Sequence, residues 1–427
     1  MTIQLLTGDV RDVLPTLADA SVHTVVTSPP YWNLRDYGTA LWDGGDAACD
    51  HLAAQAKPGN AAYTNGQGQA YASNLQSWAK RDASRVFTDT CGKCGARRID
   101  RQLGLESSPE EYLAAMVAVF REVRRVLRPD GTCWVNLGDL FMNKQLQMMP
   151  ARLAIALQAD QWILRSDIIW AKPNPMPESC RDRCTSAHEH IFMLTKKPRY
   201  YFDADAIAEP AIRAGDVPGG TGGYISDITG GHNKDGLKAN GMRPVAATRA
   251  CRNVWTLSTE SFSGAHFATF PRALAERCIR AGTSQYGCCA ACGAPWVRVT
   301  EAGEITARGG KGARYHAARM DDSYAPGTED DAMTARARIT TGWRAGCQCD
   351  AGDPVPCTVL DCFSGAGTTL LVADRLQRHA IGIDLNASYA DLARRRIEAD
   401  APLFTSWAPA EDQADQRMAD LFAEAAE

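Results

Sequence analysis

The stretch Asp361-Cys362-Phe363-Ser364-Gly365-Ala366-Gly367-Thr368-Thr369 constrains the fold more than any other part of the chain. It joins a strand-like run, Val359 to Phe363, to a stretch of helical spacing, Thr368 to Leu376. Gly365 and Gly367 let the backbone turn tightly and approach a ligand closely. The helix that follows presents free N–H groups at its N-terminus. A second strand, Ala380 to Asp384, ends in a carboxylate about 20 residues on, the spacing at which an acid receives a ribose hydroxyl pair. This is nucleoside-binding α/β architecture, and it predicts a Rossmann-like, doubly wound, mostly parallel sheet. Leu370 stands where the third glycine of a dinucleotide pattern would fall. An Asp before Phe-x-Gly-x-Gly suits an amino-acid-bearing nucleoside such as S-adenosylmethionine better.

The N-terminal part adds alternating elements. Ile3 to Leu6 reads as a strand, Val10 to Leu17 as a helix, and Val22 to Val26 as a second strand. That strand ends at Thr27-Ser28-Pro29-Pro30-Tyr31. Two adjacent prolines fix the backbone and remove two donors, so the turn is rigid. Such a turn suits methylation of an exocyclic base amine, whose lone pair is delocalised into the ring. Ser28 Oγ and the Pro29 carbonyl are the acceptors that would hold the N–H groups and free the lone pair. Tyr31 offers a face on which a flipped base stacks.

Further along, Pro109 opens a helix lined by Leu113, Met116, Val117, Phe120, Val123 and Leu127. Pro129-Asp130-Gly131 reads as a turn, Thr132 to Leu137 as a strand, Ala151 to Leu157 as a helix and Ile163 to Trp170 as a strand. The segment 172–252 is rich in Pro and Gly and reads as irregular. Phe270 to Ala281 is a helix opened by Pro271, 301–346 a polar loop, and Ala387 to Ala399 the last clear helix.

Fifteen cysteines are many for a chain whose N-terminus lacks the regions of a signal peptide. The expected compartment is the cytoplasm, and clustered cysteines in a reducing compartment point to metal. Cys289, Cys292, Cys347 and Cys349 supply the four thiolates of a structural zinc, and Cys49, His51, Cys91 and Cys94 form a second set. Each set brackets a polar insertion, and Cys288 is an alternative to Cys289. A full ligand set leaves no open position for catalysis. Cys133, Cys278, Cys357 and Cys362 lie in apolar surroundings and read as core residues.

The 427 residues carry a net charge of −4, with 45% hydrophobic and 22% charged residues. These values exclude a fibrous chain, a disordered chain and a histone-like polycation. No apolar run is long enough to span a bilayer. Basic residues for a polyanion would have to be gathered locally, and Arg165, Lys172, Arg181, Arg183, Lys196, Lys197 and Arg199 are the candidates.

Taken as a pair, Thr-Ser-Pro-Pro-Tyr and Asp-Cys-Phe-Ser-Gly-Ala-Gly-Thr-Thr closely resemble the catalytic and S-adenosylmethionine motifs of the amino-group DNA methyltransferases. The catalytic motif comes first here, which resembles the circularly permuted β arrangement of that family. Gly8-Asp9 is similar to the family's loop near the cofactor adenine. His266-Phe267-Ala268-Thr269-Phe270-Pro271 is similar to the motif at the methionine end, and Asn136-Leu137-Gly138-Asp139 ends the strand after the catalytic one. Lys172 to Glu178 and His188-Glu189 open a segment where the family places target recognition. The resemblance covers roughly residues 1–50, 100–210 and 250–400.

It implies catalytic roles for Ser28, Pro29, Pro30 and Tyr31. It implies cofactor contacts for Asp9, Phe270, Asp361, Phe363, Gly365, Gly367, Thr368 and Asp384. The expected organisation is core at 1–48, 101–171, 253–287 and 351–400, with zinc-bearing insertions at 49–100 and 288–350. Target recognition falls at 172–252 and an acidic tail at 401–427. Double-stranded DNA is the expected partner, without a membrane; a homodimer and a separate cognate restriction nuclease stay open. Ser28 replaces the Asp of many adenine-N6 members and favours cytosine N4, with adenine N6 as the alternative. Cys362 replaces a usual Pro. A methyltransferase acting on RNA or a small planar amine, and a non-catalytic DNA-binding relative, are the other readings.

Overall fold

The computed structural model describes residues 1–33, 39–53, 85–86, 89–210, 248–260, 270–305, 336–350, 352–401 and 405–407. They fall into two compact units, residues 1–29 with 116–427, and residues 30–115.

The larger unit is built on strands β1 (Ile3–Thr7), β2 (Val22–Thr27), β3 (Leu127–Leu137), β4 (Ile163–Ala171), β5 (His188–Thr195), β6 (Val254–Thr256), β9 (Thr358–Asp361) and β10 (His379–Asp384). Between β6 and β9 lie β7 (Val297–Ile305) and β8 (Arg336–Arg344), which pair antiparallel as a separate ribbon. The main sheet has the order β1-β10-β9-β2-β3-β5-β4-β6. Every pairing in it is parallel except the two made by β5. All six residues of β2 are buried, as expected for a central parallel strand covered on both faces.

Helices α1 (Val10–Val13), α2 (Pro109–Val126), α3 (Met149–Ala159), α4 (Arg272–Gly282), α5 (Thr368–Arg375) and α6 (Ala387–Asp400) complete the fold. Trp134, Trp170 and Trp255 from the sheet pack with Leu274, Cys278 and Ile279 of α4 and Leu370 and Leu371 of α5 in one buried cluster. Cys133, Cys357 and Cys362 are buried as well. No helix among the described residues is long and apolar enough to cross a membrane.

Four local expectations are corrected. The helix over 10–17 stops at Val13 and continues as a 3-10 turn, Leu14–Thr16, because Pro15 lacks the N–H an α-helix would use. Pro129 to Gly131 do not separate helix from strand. They form an irregular entry into β3, whose partner advances only from Val22 to Thr24 while β3 advances from Leu127 to Thr132. The ends of the loop 301–346 are paired in the β7–β8 ribbon. Within the segment 172–252, β5 is a strand of the main sheet, buried from Ile191 to Thr195, and Glu189 on it pairs with Lys172.

Because β5 runs against both its neighbours, the chain changes edge there. Residues 172–187 leave β4 and return to β5 at the edge where the parallel strands end. Residues 196–253 begin and finish at the opposite edge.

Helix α4 meets the sheet closely at Gly282, where an added Cβ would lie 2.5 Å from both Thr24 Oγ1 and Thr132 Oγ1. These hydroxyls bond each other across β2 and β3 at 2.9 Å. Gly282→Ala should therefore cost about 1–3 kcal/mol through overpacking. Urea unfolding would show this as a lower midpoint with an unchanged slope.

Candidate active site and metal clusters

Strands β1, β10, β9, β2 and β3 are neighbours and parallel, so their carboxyl ends open along one edge. Chain order reverses between β9 and β2, which is where open α/β sheets bind ligands. That edge gathers Gly8-Asp9, Asp384, the 361–369 loop and Ser28-Pro29. Gly8 N–H donates to the Asp384 carbonyl and Ser364 N–H to the Ile383 carbonyl, each at 2.9 Å. The Asp384 carboxylate accepts from Gly365 N–H at 2.8 Å and from Asn386 N–H at 2.9 Å. Burial pushes its pKa up to about 6 against those two donors.

The loop is shaped for close approach. Gly365 and Gly367 have φ of +48° and +72°. A Cβ on Gly365 would meet open space, and one on Gly367 would lie 2.7 Å from the Ala393 Cβ. Ser364 Oγ is buried without a hydrogen-bond partner among the described residues. Arg396 of α6 donates to the Ala366 carbonyl and to Thr368 Oγ1, both at 2.9 Å, and so ties the loop down from behind.

Asp361 is 1% exposed. Thr27 Oγ1 donates to one carboxylate oxygen and Thr369 Oγ1 to the other, each at 2.7 Å. Phe363 N–H adds a third donor at 3.2 Å. Burial raises the carboxyl to about 6, and these donors oppose the shift. Both carboxylate oxygens of Asp361 are thus engaged by the protein, and Phe363 N–H ties one of them to the loop that follows. Thr27 and Thr369 escaped the sequence reading, although both sit inside the quoted motifs.

The other candidates are placed as follows. Asp9 caps α1 by accepting from Arg11 N–H at 2.9 Å and is also paired with the Arg11 guanidinium at 2.6 Å. Phe363 is half-buried, and Phe270 packs partly buried against the core cluster. His266 to Thr269 lie outside the described residues. Of the basic candidates, Lys172 pairs with Glu189, Arg183 with Glu178 at 2.5 Å, Arg165 with the Tyr200 hydroxyl, and Lys196 with the Leu127 carbonyl. Ser28 and Pro29 belong to the larger unit, and Pro30 and Tyr31 to the smaller. In the smaller unit the Pro30 carbonyl accepts from the buried Tyr112 hydroxyl at 2.9 Å, and Asn33 N–H donates to the Gly104 carbonyl at 2.7 Å.

Both expected metal sets converge. Cys49, His51, Cys91 and Cys94 have their ligand atoms within 4.8 Å of one another, as do Cys289, Cys292, Cys347 and Cys349. In the first set Cys49 Sγ lies 3.7 Å from Cys91 Sγ, and Cys94 Sγ 3.6 Å from His51 Nδ1. A tetrahedron with Zn–S of about 2.3 Å and Zn–N of about 2.0 Å has edges of about 3.5–3.8 Å. Backbone N–H groups of Asp46 and Ala96 hold the Cys94 thiol down to about 6, which favours the thiolate a metal needs. In the second set, N–H groups of Cys292 and Ala291 lower Cys289 to about 7.

Cys288 does not replace Cys289. It points towards His23 and Cys357, a third cluster of possible ligands among the described residues. That cluster is hydrogen-bonded instead. His23 Nδ1 accepts from Thr358 N–H at 2.9 Å, so its Nε2 carries the proton and donates to the Gly293 carbonyl at 2.9 Å. No imidazole lone pair is left for a metal.

The family model for N6/N4 DNA methylases matches residues 22–289 and 357–395. The Type II methyltransferase M.SmaI of Serratia marcescens is 29% identical over 423 residues, covering 92% of this chain and 90% of that protein. The Type II methyltransferase M.XycI of Xanthomonas campestris pv. cyanopsidis is 32% identical over 308 residues, covering 65% of this chain and 72% of that one. Among solved structures, the cytosine-N4-specific PvuII DNA methyltransferase aligns over 99% of this chain and 92% of that chain, with 14% identity and a TM-score of 0.47.

Thr27→Val keeps the shape of the side chain and deletes one donor to Asp361. It should cost about 1–3 kcal/mol of stability and weaken S-adenosylmethionine binding several-fold. Denaturant unfolding and calorimetry on the same preparation would read both effects.

Proposed function

Since this chain belongs to the N6/N4 DNA methylase family, we propose that it transfers a methyl group from S-adenosylmethionine to an exocyclic amino group of a base in double-stranded DNA, with cytosine N4 favoured. The observation that carries this reading is the Thr27–Asp361 hydrogen bond. It fastens the strand that delivers Ser28-Pro29 to the start of the glycine loop, at the point where the sheet's chain order reverses. A turn that polarises an amine and a loop that receives a nucleoside are thereby neighbours.

The residues present fit the cofactor. The glycine loop leaves open space at Gly365, Ser364 Oγ is a buried hydroxyl awaiting a partner, and Asp384 ends β10 with a carboxylate. When bound, S-adenosylmethionine supplies an electrophilic methyl group on a sulfonium. Asp384 would hold the ribose hydroxyls and the loop of Phe363 to Thr368 the amino-acid end, with Gly8-Asp9 and Phe270 at the periphery. Ser28 Oγ and the Pro29 carbonyl accept the amine's N–H groups, drawing the nitrogen towards tetrahedral geometry and freeing its lone pair. Tyr31 stacks on the base, which must leave the duplex because its amine is paired there.

In this reading the chain order of the core is circularly permuted, and target recognition draws on 172–252, of which 211–247 lie outside the described residues. Each four-ligand cluster holds a structural zinc.

Duplex DNA incubated with the protein and S-adenosylmethionine, then digested to nucleosides, should show N4-methylcytosine by mass spectrometry. N6-methyladenine would keep the reaction and remove the inference from Ser28. Neither product, with cofactor binding intact, would move the substrate away from duplex DNA. Elemental analysis should find about two zinc ions per chain, and Cys292→Ser should lose about one of them together with thermal stability. An unchanged metal content in that variant would refute the C-terminal site.

A further inference from the structure

The N-terminal cluster belongs to the same compact unit as Pro30 and Tyr31, and the described residues 89–106 link it by hydrogen bonds to the chain that follows Tyr31. Cys91 N–H donates to the Ala96 carbonyl and Gly95 N–H to the Cys91 carbonyl, each at 2.8 Å, closing a hairpin over the cluster. That hairpin runs directly into the strand Arg97–Ile99. The strand pairs with Leu41–Asp43, matching Leu41 to Ile99, Trp42 to Arg98 and Asp43 to Arg97. The partner strand is held to the same cluster, because Trp42 stacks on the ring of His51 with centroids 4.4 Å apart and planes at 13°. Both strands of the ribbon are therefore tied to the four ligands.

The ribbon's exit leads to the base-facing turn. Asp100 follows it, paired with Arg98 at 2.6 Å and accepting from Gln102 N–H at 3.0 Å. This bends the chain into buried Leu103 and then Gly104. Gly104 has φ of +94°, a region that favours glycine, and an added Cβ would come within 3.0 Å of the Tyr31 carbonyl. The Gly104 carbonyl accepts from Asn33 N–H at 2.7 Å, and the Glu106 carbonyl accepts from Trp32 Nε1 at 2.9 Å. The chain just after Tyr31 is thus held, through Trp32 Nε1 and Asn33 N–H, by residues 104–106 that follow the hairpin and its ribbon.

We propose that a zinc ion held by Cys49, His51, Cys91 and Cys94 is the positioning element for Tyr31, closing the 91–96 hairpin and through the ribbon fixing the Leu103-Gly104 turn against residues 31–33. The proposal rests on the proposed function only for what Tyr31 does with a base; the clamp itself is a property of this unit. With the metal removed, the ribbon keeps a few backbone bonds and loses the closure of both its strands, so Tyr31 stays in the chain and loses its fixed orientation.

Hydrogen exchange read by mass spectrometry tests the clamp without any need for activity. In Cys94→Ser, zinc content should fall by about one ion, and peptides covering 31–33 and 102–106 should lose protection. Peptides covering Thr358 to Gly365, in the other unit, should keep it. S-adenosylmethionine affinity should change less than about twofold, while kcat/KM on DNA falls at least about tenfold, the loss expected when a positioned group is freed. Cys94→His, which preserves a ligand, should restore both zinc and protection. If Cys94→Ser fails to fold, the wild-type protein stripped with a chelator and refilled with Co2+ gives the same readout, protection at 31–33 returning with the thiolate–cobalt absorption band. Unchanged exchange at 31–33 after demonstrated loss of this metal would overturn the proposal. Absence of methyl transfer by the wild type, with the exchange pattern as described, would overturn the proposed function and leave the clamp standing.

Discussion

A carboxylate shut away from water has to be answered by donors, and Asp361 is answered by hydroxyls from two other segments. An unpaired buried charge costs several kcal/mol, far more than a single hydrogen bond contributes. Thr27 and Thr369 are therefore obliged to sit where the carboxylate needs them, each at 2.7 Å. The Thr369 hydroxyl, whose one proton points to Asp361, also lies 3.1 Å from the Val26 carbonyl. One buried group thus sets the spacing between β9, the first turn of α5 and the end of β2. The Ser28-Pro29 turn and the glycine loop inherit their separation from it.

The clusters of cysteine answer a different need. Long polar insertions cannot bury enough apolar surface to order themselves. The Cys49 and Cys91 sulfurs lie 3.7 Å apart, the separation of two ligands of one tetrahedral metal. The C-terminal knuckle is also fastened to the sheet by hydrogen bonds. Arg128 donates to the Cys292 carbonyl at 2.7 Å, His23 to the Gly293 carbonyl, and Cys288 pairs with Val355 in both directions. Gly293 has φ of +68°, a region that favours glycine, and an added Cβ would also press on the Arg128 guanidinium.

Much of this was legible in the chain itself, because strand–turn–helix signals, paired prolines and cysteine spacing are local. What escaped was either weakly patterned or distant in sequence. β5 opens with His188-Glu189-His190 after a proline-rich run, and its buried stretch, Ile191 to Leu194, is too short for a period to emerge. The β7–β8 ribbon is polar because it stands apart from the main sheet, so nothing forces an alternating pattern on it. Thr27 meets Asp361 from 334 residues away, and His23 reaches Thr358 from 335. No local rule reports a partner at that range. Asp361 stood out in its motif, while the hydroxyls of Thr27 and Thr369 that hold its carboxylate did not.

The reversed strand β5 divides the labour between the two rims of the sheet. Residues 172–187 open on the rim where β2 and β9 deliver their motifs, so their length is bounded by whatever must fit there. Residues 196–253 start and finish on the other rim, as do the ends of the chain that carry the C-terminal knuckle to His23 and Thr358. Additions between those anchor points leave the strand ends that carry the motifs where they are. A lineage of such chains can therefore trade large segments there while the chemistry on the opposite rim stays untouched.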